Sequence, residues 1–489
     1  MMKFLFFSTA LGFVFQANSL DAKAETRTPP SVLLIIVDDF GARDMGCYGS
    51  TLYETPRINQ FAASGALFTQ AYASYPRCVP SRFALMTGKH PARFQGNSDG
   101  LKITAGRDTT VGKMMTEAGY RTFYCGKWHL GEGPSSPSQS GFQESFAAGE
   151  AGATRSHFAP YNTSAKGNSK GEEKDPIPDI DEAPEGEYLT DRLTQKTCDW
   201  IRSNKEKPFF AVLAHYAVHT PIQGKTNFVA KYQEKLRSKN LPEPMFEKES
   251  AGENLLMQNN PRYAAMVQSV DESVGTLLDL LNTLNLTEKT VVILTSDHGG
   301  LSARGNSREV ATSNRPLRAG KGHLYEGGIR VPLMVRVPGK TSPGSRIDIP
   351  VVGTDLFPSL AQLAGSIPPE SAQLDGKSWL PLLDKSTNFN DNPRKFVWHN
   401  PAPRPKSTGD LRSSALRDGN LKLLIFPEDN RRELYDLSAD PGESLDLSGQ
   451  RPEDAARMES ELRESLTKLG ASITPKVRKK GKVGTEEKE

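Results

Sequence analysis

The stretch "SVLLIIVDDFG", Ser31 to Gly41, is apolar at every position from Val32 to Val37 and then turns abruptly acidic. A strand with one wet face alternates apolar and polar residues. A strand with no polar face has to be covered on both sides, the condition of a central strand in a parallel sheet. Similar runs recur in "FFAVLAHY" from Phe209, "VVILTSDHGG" from Val291 and "VPLMVRVP" from Val331. Helical periodicity fills the spaces between and after them, at Tyr188–Arg202, Tyr263–Leu284 and Thr354–Ala364. Alternating strands and helices predict an α/β fold with a large, mostly parallel sheet sandwiched by helices. In such folds ligands gather outside the carboxyl ends of the strands. The runs from Ser31 and Val291 end in Asp38-Asp39 and Asp297-His298, which places four polar side chains along one sheet edge.

A chain of 489 residues exceeds one small core, and its character changes towards the end. Residues 25–384 read as the large N-terminal domain. Residues 385–472 read as a smaller C-terminal α+β subdomain: "ALRDGNLKLLIFPEDNRRELYDLSADPGE" holds short alternating strands divided by turn residues, and a helix follows from Pro452 to Leu469. The tail, 473–489, is charged and expected to be disordered. Gly131 to Gly186 is rich in Gly, Ser, Pro and acidic residues, and predicts a long surface insertion with little structure of its own. At the start, Lys3 precedes an apolar stretch, Phe4 to Phe15, too short to span a bilayer. Ala22-Lys23-Ala24 supplies the small residues that signal peptidase prefers. Residues 1–24 therefore read as a signal peptide, and the mature protein as periplasmic or secreted with no stable membrane insertion. A net charge of +3 lacks the basic excess of a nucleic-acid binder. Cys47, Cys78, Cys125 and Cys198 leave room for a disulfide without indicating its pair, and exclude a dense disulfide framework.

Asp38, Asp39 and Asp297, with His298 adjacent, form a candidate divalent-cation site, and three carboxylates favour a hard ion such as Ca²⁺ or Mg²⁺ over zinc. Three further segments carry cationic groups: "GKWHLG" offers Lys127 and His129, "HYAVHTP" offers His215 and His219, and "RAGKGHLYEGG" offers Lys321 and His323. Lys and His gathered around a metal suit a tetrahedral oxyanion, whose developing charge they stabilise. Each segment taken alone reads sooner as surface lysines and structural histidines.

"CVPSR", Cys78 to Arg82, with Thr87-Gly88 behind it, resembles the first signature of the type I, formylglycine-dependent sulfatases of the alkaline-phosphatase superfamily. "GYRTFYCGKWHLG", Gly119 to Gly131, is similar to their second signature. "VDDFG", "SDHGG", "LRAGKGHLYEGGIRVP" and the C-terminal "LRDGNLKLL" and "ELYDLSADPGE" follow the family order along most of the chain. The resemblance implies an alkaline-phosphatase-like fold and a sulfuric ester hydrolase. It implies that a maturation enzyme oxidises Cys78 to Cα-formylglycine, whose hydrate attacks sulfur with one hydroxyl and expels sulfate through the second. A serine would form a sulfate ester with no such exit. It further implies that Asp38, Asp39, Asp297, His298 and the modified Cys78 bind Ca²⁺ or Mg²⁺ and that Arg82 steadies the diol. Lys127 and Lys321 would hold the sulfate oxygens, His129 would assist the diol's proton loss, and His219 would bind sulfate or protonate the leaving oxygen. His215 and His323 carry no motif-based role and read as structural.

Four residues depart from the pattern of the family the chain resembles: Arg77 stands where a small or aliphatic residue is usual, Val79 where a small one is, Cys125 where Ile, Val, Ala or Ser is, and His298 where many relatives have Asn and others His. Imidazole suits calcium less well than an amide oxygen. Resemblance and export together point to a sulfated carbohydrate as substrate, and Arg304, Arg308, Arg315 and Arg318 read as contacts for an acidic glycan or as a solvated loop face. Two other functions stand beside this one: a phosphatase or phosphonate hydrolase of the same superfamily, and a non-catalytic binder of sulfated glycans.

Overall fold

The computed structural model describes residues 1, 29–94, 101–163, 175–240, 243–384 and 394–473. The leader read at 1–24, Met1 apart, and the charged tail read at 473–489, Ile473 apart, lie outside the described residues. The strands are β1 (Ser31–Val37), β2 (Ala66–Tyr72), β3 (Arg121–Gly126), β4 (Glu144–Phe146), β5 (Phe209–Ala214), β6 (Phe246–Glu249), β7 (Gly252–Leu255), β8 (Thr290–Ser296) and β9 (Ala303–Arg304). They continue with β10 (Arg330–Arg336), β11 (Ser345–Ile347), β12 (Val351–Val352), β13 (Lys395–Asn400), β14 (Ser413–Asp418), β15 (Leu421–Phe426) and β16 (Arg431–Asp436). The helices are α1 (Pro56–Ser64), α2 (Cys78–Thr87), α3 (Val111–Glu117), α4 (Leu189–Asn204), α5 (Thr226–Arg237), α6 (Pro261–Thr283), α7 (Glu326–Ile329), α8 (Leu356–Ala364) and α9 (Pro452–Lys468).

The main sheet runs β11-β2-β10-β8-β1-β5-β3-β4, with β12 beside β2. All its pairs are parallel except those of β10, which runs antiparallel to both β8 and β2. Every residue of β1 is buried because the sheet is covered on both faces. Leu33, Ile35 and Val37 pack with Phe61 of α1, Leu193 and Ile201 of α4, and Val267 and Val274 of α6. Val32, Leu34 and Ile36 pack with Phe83 of α2, Met114 of α3 and Leu360 of α8. Successive strand residues point to opposite faces, so one apolar run feeds two helical layers.

The segment from Gly131 to Gly186 is more than a surface insertion. Its β4 extends the sheet beside β3, and Ala147, Ala151, Tyr161, Ile177 and Ile180 are buried in the same core as α4 and α6. Composition pointed outward because glycine, serine and proline carry no burial signal of their own; the few apolar residues among them do the packing.

Strands β13 to β16 form a separate antiparallel sheet. One face packs Leu416, Leu423 and Leu434 against Met458, Leu462 and Leu466 of α9. The other lays Trp398, Ala415 and Leu424 on Tyr72, Tyr325 and Ile329 of the large domain. Lys422 is buried at this seam, donating to Glu326 at 2.9 Å and paired with Glu443 at 2.8 Å. Burial pushes the Glu443 carboxyl up to about 7, against the pull of Lys422. The architecture is thus α/β, with a large mostly parallel sheet and a small antiparallel one.

Candidate active site

The register pairs Val37 with Ser296 at the ends of β1 and β8, so Asp38-Asp39 and Asp297-His298 emerge side by side. The carboxyl end of β3 delivers Lys127 through Gly126, whose φ is +95°. A Cβ there would lie 2.0 Å from the Ala214 carbonyl oxygen, which leaves glycine as the residue that lets the chain turn towards the site. The loop after β5 brings His219, and the loop before α7 brings Lys321, whose amide donates to the Gly300 carbonyl at 3.0 Å. Helix α2 begins at Cys78, so the half-buried sulfur stands at a helix N-terminus, where unpaired amides favour negative charge.

Lys127 donates to Asp38 at 2.6 Å, and Lys321 donates to both oxygens of Asp39 at 2.7 and 2.9 Å. Arg82 donates to Asp297 at 2.9 Å, to Asp38 at 3.4 Å and to the Lys127 carbonyl at 2.7 Å. All six charged groups are buried. These three carboxylates stand against three cations, the pairing under which buried charge is tolerated. Burial drives Asp38 up to about 6 despite Lys127, whereas Lys321 and the two histidines hold Asp39 well below the carboxylate range against the same burial. Burial, helped by Lys321, takes His219 down to about 4, so its imidazole is neutral at pH 7. The four cysteines are free. Burial pushes Cys125 up to about 12 and Cys198 to about 11. At Cys78 burial acts the same way but is overcome by Lys127 and Lys321, helped by His129 and His298, and the thiol lies well below its ordinary value. One cysteine of the four is electrostatically prepared.

Asp38, Cys78, Asp297 and His298 each offer a ligand atom, all within 4.8 Å of one another, and Asp38, Asp39 and His219 form an overlapping group. His298 Nδ1 lies 3.0 Å from the Gly299 carbonyl, so in the neutral ring the proton belongs on Nδ1 and Nε2 keeps a lone pair. That Nε2 is buried, 3.2 Å from Asp39, and makes no hydrogen bond. An orphaned lone pair facing three carboxylates fits a divalent cation. Asp297 and Asp39 outweigh burial and raise His298 to about 9; the same carboxylates, if shared with a cation, would keep the ring neutral.

The residues expected at the site from the sequence, Asp38, Asp39, Cys78, Arg82, Lys127, His129, His219, Asp297, His298 and Lys321, all come to this one edge. His215 and His323 serve elsewhere: His215 is buried at 3.1 Å from the Ser273 hydroxyl, and His323 Nε2 lies 3.0 Å from the Thr408 carbonyl. The unusual Arg77 turns away from the centre. It is buried and donates to both oxygens of Asp410 at 2.7 and 2.8 Å and to the Ala402 carbonyl at 3.0 Å. Asp410 also accepts from Asn400 at 3.1 Å, and Asn400 donates to Gly322 beside Lys321 at 3.0 Å. The C-terminal subdomain thereby holds the residue preceding Cys78 and the one following Lys321. Val79 packs in the core beneath. His129 has φ +57°, donates its amide to Gly149 at 3.0 Å, and lies so close to Gly152 that a Cβ there would come within 2.3 Å of its ring. Neither Asp410 nor Gly152 carries a local sequence signal, since both act on residues remote in the chain or across a loop.

The family model described as Sulfatase matches residues 30–366, and the one described as N-sulphoglucosamine sulphohydrolase, C-terminal, matches residues 319–472. Steryl-sulfatase of Homo sapiens is 29% identical over 460 residues, covering 78% of this chain and 73% of that protein. A protein named Sulfatase from Formosa agariphila is 30% identical over 533 residues, covering 93% of this chain and 91% of its own. The crystal structure of Ps i-CgsB in complex with k-i-k-neocarrahexaose superposes with a TM-score of 0.70 at 28% identity, covering 90% of this chain and 93% of that one. The strand-end carboxylates and the cysteine at the head of α2 thus occur in a chain that, on these matches, belongs to the sulfatase family, the hydrolases of sulfuric esters.

Proposed function

We propose that the protein is exported and hydrolyses a sulfate ester on a carbohydrate, using formylglycine made from Cys78 and one hard divalent cation, Ca²⁺ in first place and Mg²⁺ in second. The observation that carries this reading is the position of Cys78: at a helix N-terminus, under the charge of two buried lysines and within ligand distance of Asp38, Asp297 and His298. A structural neighbour crystallised with k-i-k-neocarrahexaose supports a glycan ligand.

Asp38, Asp39, Asp297 and His298 would hold the cation with residue 78, and together these two groups would supply an acidified hydroxyl for attack on sulfur and a second hydroxyl for release of sulfate. Lys127 and Lys321 pair with the carboxylates a cation would share, and so retain ammonium hydrogens for the sulfate oxygens. Arg82 spans Asp297 and Asp38 and keeps both turned inward. His129, in reach of residue 78, takes the hydroxyl proton. His219 Nδ1 lies 2.8 Å from the Thr220 carbonyl, which leaves Nε2 bare and 3.9 Å from Asp39. It becomes an acid towards the leaving oxygen only after Nε2 takes up a proton, which a bound sulfate favours by its charge.

Gly152→Ala is expected to displace the His129 ring and lower kcat on the order of 10²-fold, while the thermal midpoint stays close to that of the parent. A melt and steady-state kinetics on 4-nitrophenyl sulfate decide it; an unchanged kcat would remove His129 from proton transfer.

The whole reading is tested on protein from a host that carries out the maturation, by peptide mass spectrometry at residue 78 and by 4-nitrophenyl sulfate and 4-nitrophenyl phosphate turnover, with and without a chelator. The expected result is an aldehyde or its hydrate, preference for sulfate, loss of activity on chelation and recovery with Ca²⁺. A thiol at residue 78 in fully active protein would overturn the formylglycine assignment, and preference for phosphate would favour the phosphatase reading.

A further inference from the structure

The loop between β8 and α7 carries four arginines, and three are already engaged. Arg304 donates to Glu253 at 2.7 Å, Arg318 donates to Glu249 at 2.7 Å, and Arg315 pairs with Glu247. Arg308 differs. Among the described residues no carboxylate lies in ion-pair contact with it, and its guanidinium donates to the neutral Ser407 hydroxyl at 3.0 Å. It is half-buried, and burial pushes its pKa down. A guanidinium partly stripped of water and given no counter-charge is costly unless a ligand supplies one.

Its place in the fold says what that ligand would be attached to. Ser407 belongs to a strap, residues 402–410, that the small subdomain lays over the catalytic loops. The strap is pinned on one side to the arginine loop: Gly305 donates its amide to Ser407 at 2.9 Å, and Gly305 sits so close to the Pro405 carbonyl that a Cβ would come within 1.8 Å of it. On the other side it is pinned to the site. The Thr408 carbonyl lies 3.0 Å from the His323 ring, two residues from Lys321, and Asp410 holds Arg77, the neighbour of Cys78. Arg308 therefore stands on the seam between loop and strap at the rim of the site. The carboxylate that acts on it across this distance is Asp39, and Arg404 of the strap is near enough to oppose its charge. The planar fork of a guanidinium suits a carboxylate or a sulfate.

We propose that Arg308 binds a second anionic group of the substrate, a carboxylate or another sulfate borne near the scissile sulfate, so that the preferred glycan is polyanionic. This rests on the sulfate-ester reading of the site, since Lys127 and Lys321 are assigned to the scissile group and Arg308 to another. Arg308 acts as a specificity residue.

The test uses the full-length mature enzyme and Arg308→Ala and Arg308→Lys variants. Sulfated disaccharides with one anionic group are compared with otherwise identical ones carrying two, as inhibitors of 4-nitrophenyl sulfate turnover and as calorimetric ligands. In the parent the second anion is expected to tighten binding about 10- to 100-fold, the range of a charge-assisted hydrogen-bonded contact. Arg308→Ala is expected to bring that ratio close to one while weakening the mono-anionic ligand far less, and Arg308→Lys to restore part of it. A ratio that survives in Arg308→Ala, or equal losses on both ligands, would overturn the assignment, as would a parent indifferent to the second anion. A parent without 4-nitrophenyl sulfate turnover would count against sulfate-ester hydrolysis, and the calorimetric ratio would still decide Arg308.

Discussion

Cys78→Ser is expected to fold like the parent and to lose at least about 10³-fold in kcat/KM, a loss of the size seen when a nucleophile is removed. Serine nearly matches cysteine in volume, and the half-buried residue 78 begins α2 without contributing a cap, so the stability change should stay within about 1 kcal/mol. The chemical consequence is far larger. A serine hydroxyl retains the position beside Lys127 and Lys321 but, once sulfated, has no second hydroxyl on the same carbon to expel the ester. Turnover would stop after a single event. Steady-state and single-turnover kinetics on 4-nitrophenyl sulfate, with a thermal melt as control, make the comparison. A serine variant within tenfold of the parent would show that the aldehyde is not needed.

Arg82→Ala should produce the largest loss of stability at the site. Arg82 is the buried cation shared by Asp297 at 2.9 Å and Asp38 at 3.4 Å. Its removal leaves two buried carboxylates with one cation fewer, a defect that costs about 3–5 kcal/mol when a buried partner is lost. The sign with pH follows from Asp297. His298 and Arg82 hold its carboxyl below the ordinary 3.8 in the folded protein, against burial. That contribution is present above the ordinary value and is lost as pH falls through the depressed one. The gap between parent and variant should therefore be widest near neutrality and narrow in acid. Urea unfolding at neutral and acid pH reads it. A gap below about 1 kcal/mol at neutral pH, or one that widens in acid, would mean that Arg82 does not balance these carboxylates.

The α/β class and the functional sheet edge were legible in the sequence because β1 and β8 are buried on both faces, so that each reads as an apolar run, residues 32–37 and 291–294, with an aspartate close behind it. Strand β2 was not legible in the same way: Thr69 and Gln70 interrupt it, and its place beside β10 comes from pairing with residues some 260 positions on. Nor does an apolar run carry direction, and β10 is antiparallel within an otherwise parallel sheet. The segment from Gly131 to Gly186 reads as surface because its composition is that of a loop, although six of its residues, Ala159 among them, fill the core of α4 and α6.

At the site, residue type and strand-end position nominated Asp38, Asp39, Asp297 and His298, because metal ligands are limited by their own chemistry, whereas Cys78, Arg82, Lys127, His129, His219 and Lys321 came from the resemblance to the sulfatase signatures. Folding alone determined how those groups are charged and held. Cys78 is lowered where Cys125 is raised chiefly because lysines reach it from two other elements. Arg77 becomes intelligible through Asp410, 333 residues away, His129 through the bare face of Gly152, and Arg308 through a strap from the other subdomain. Electrostatic energy depends on distance in space and on exclusion of water, and neither is written in a linear order of residues.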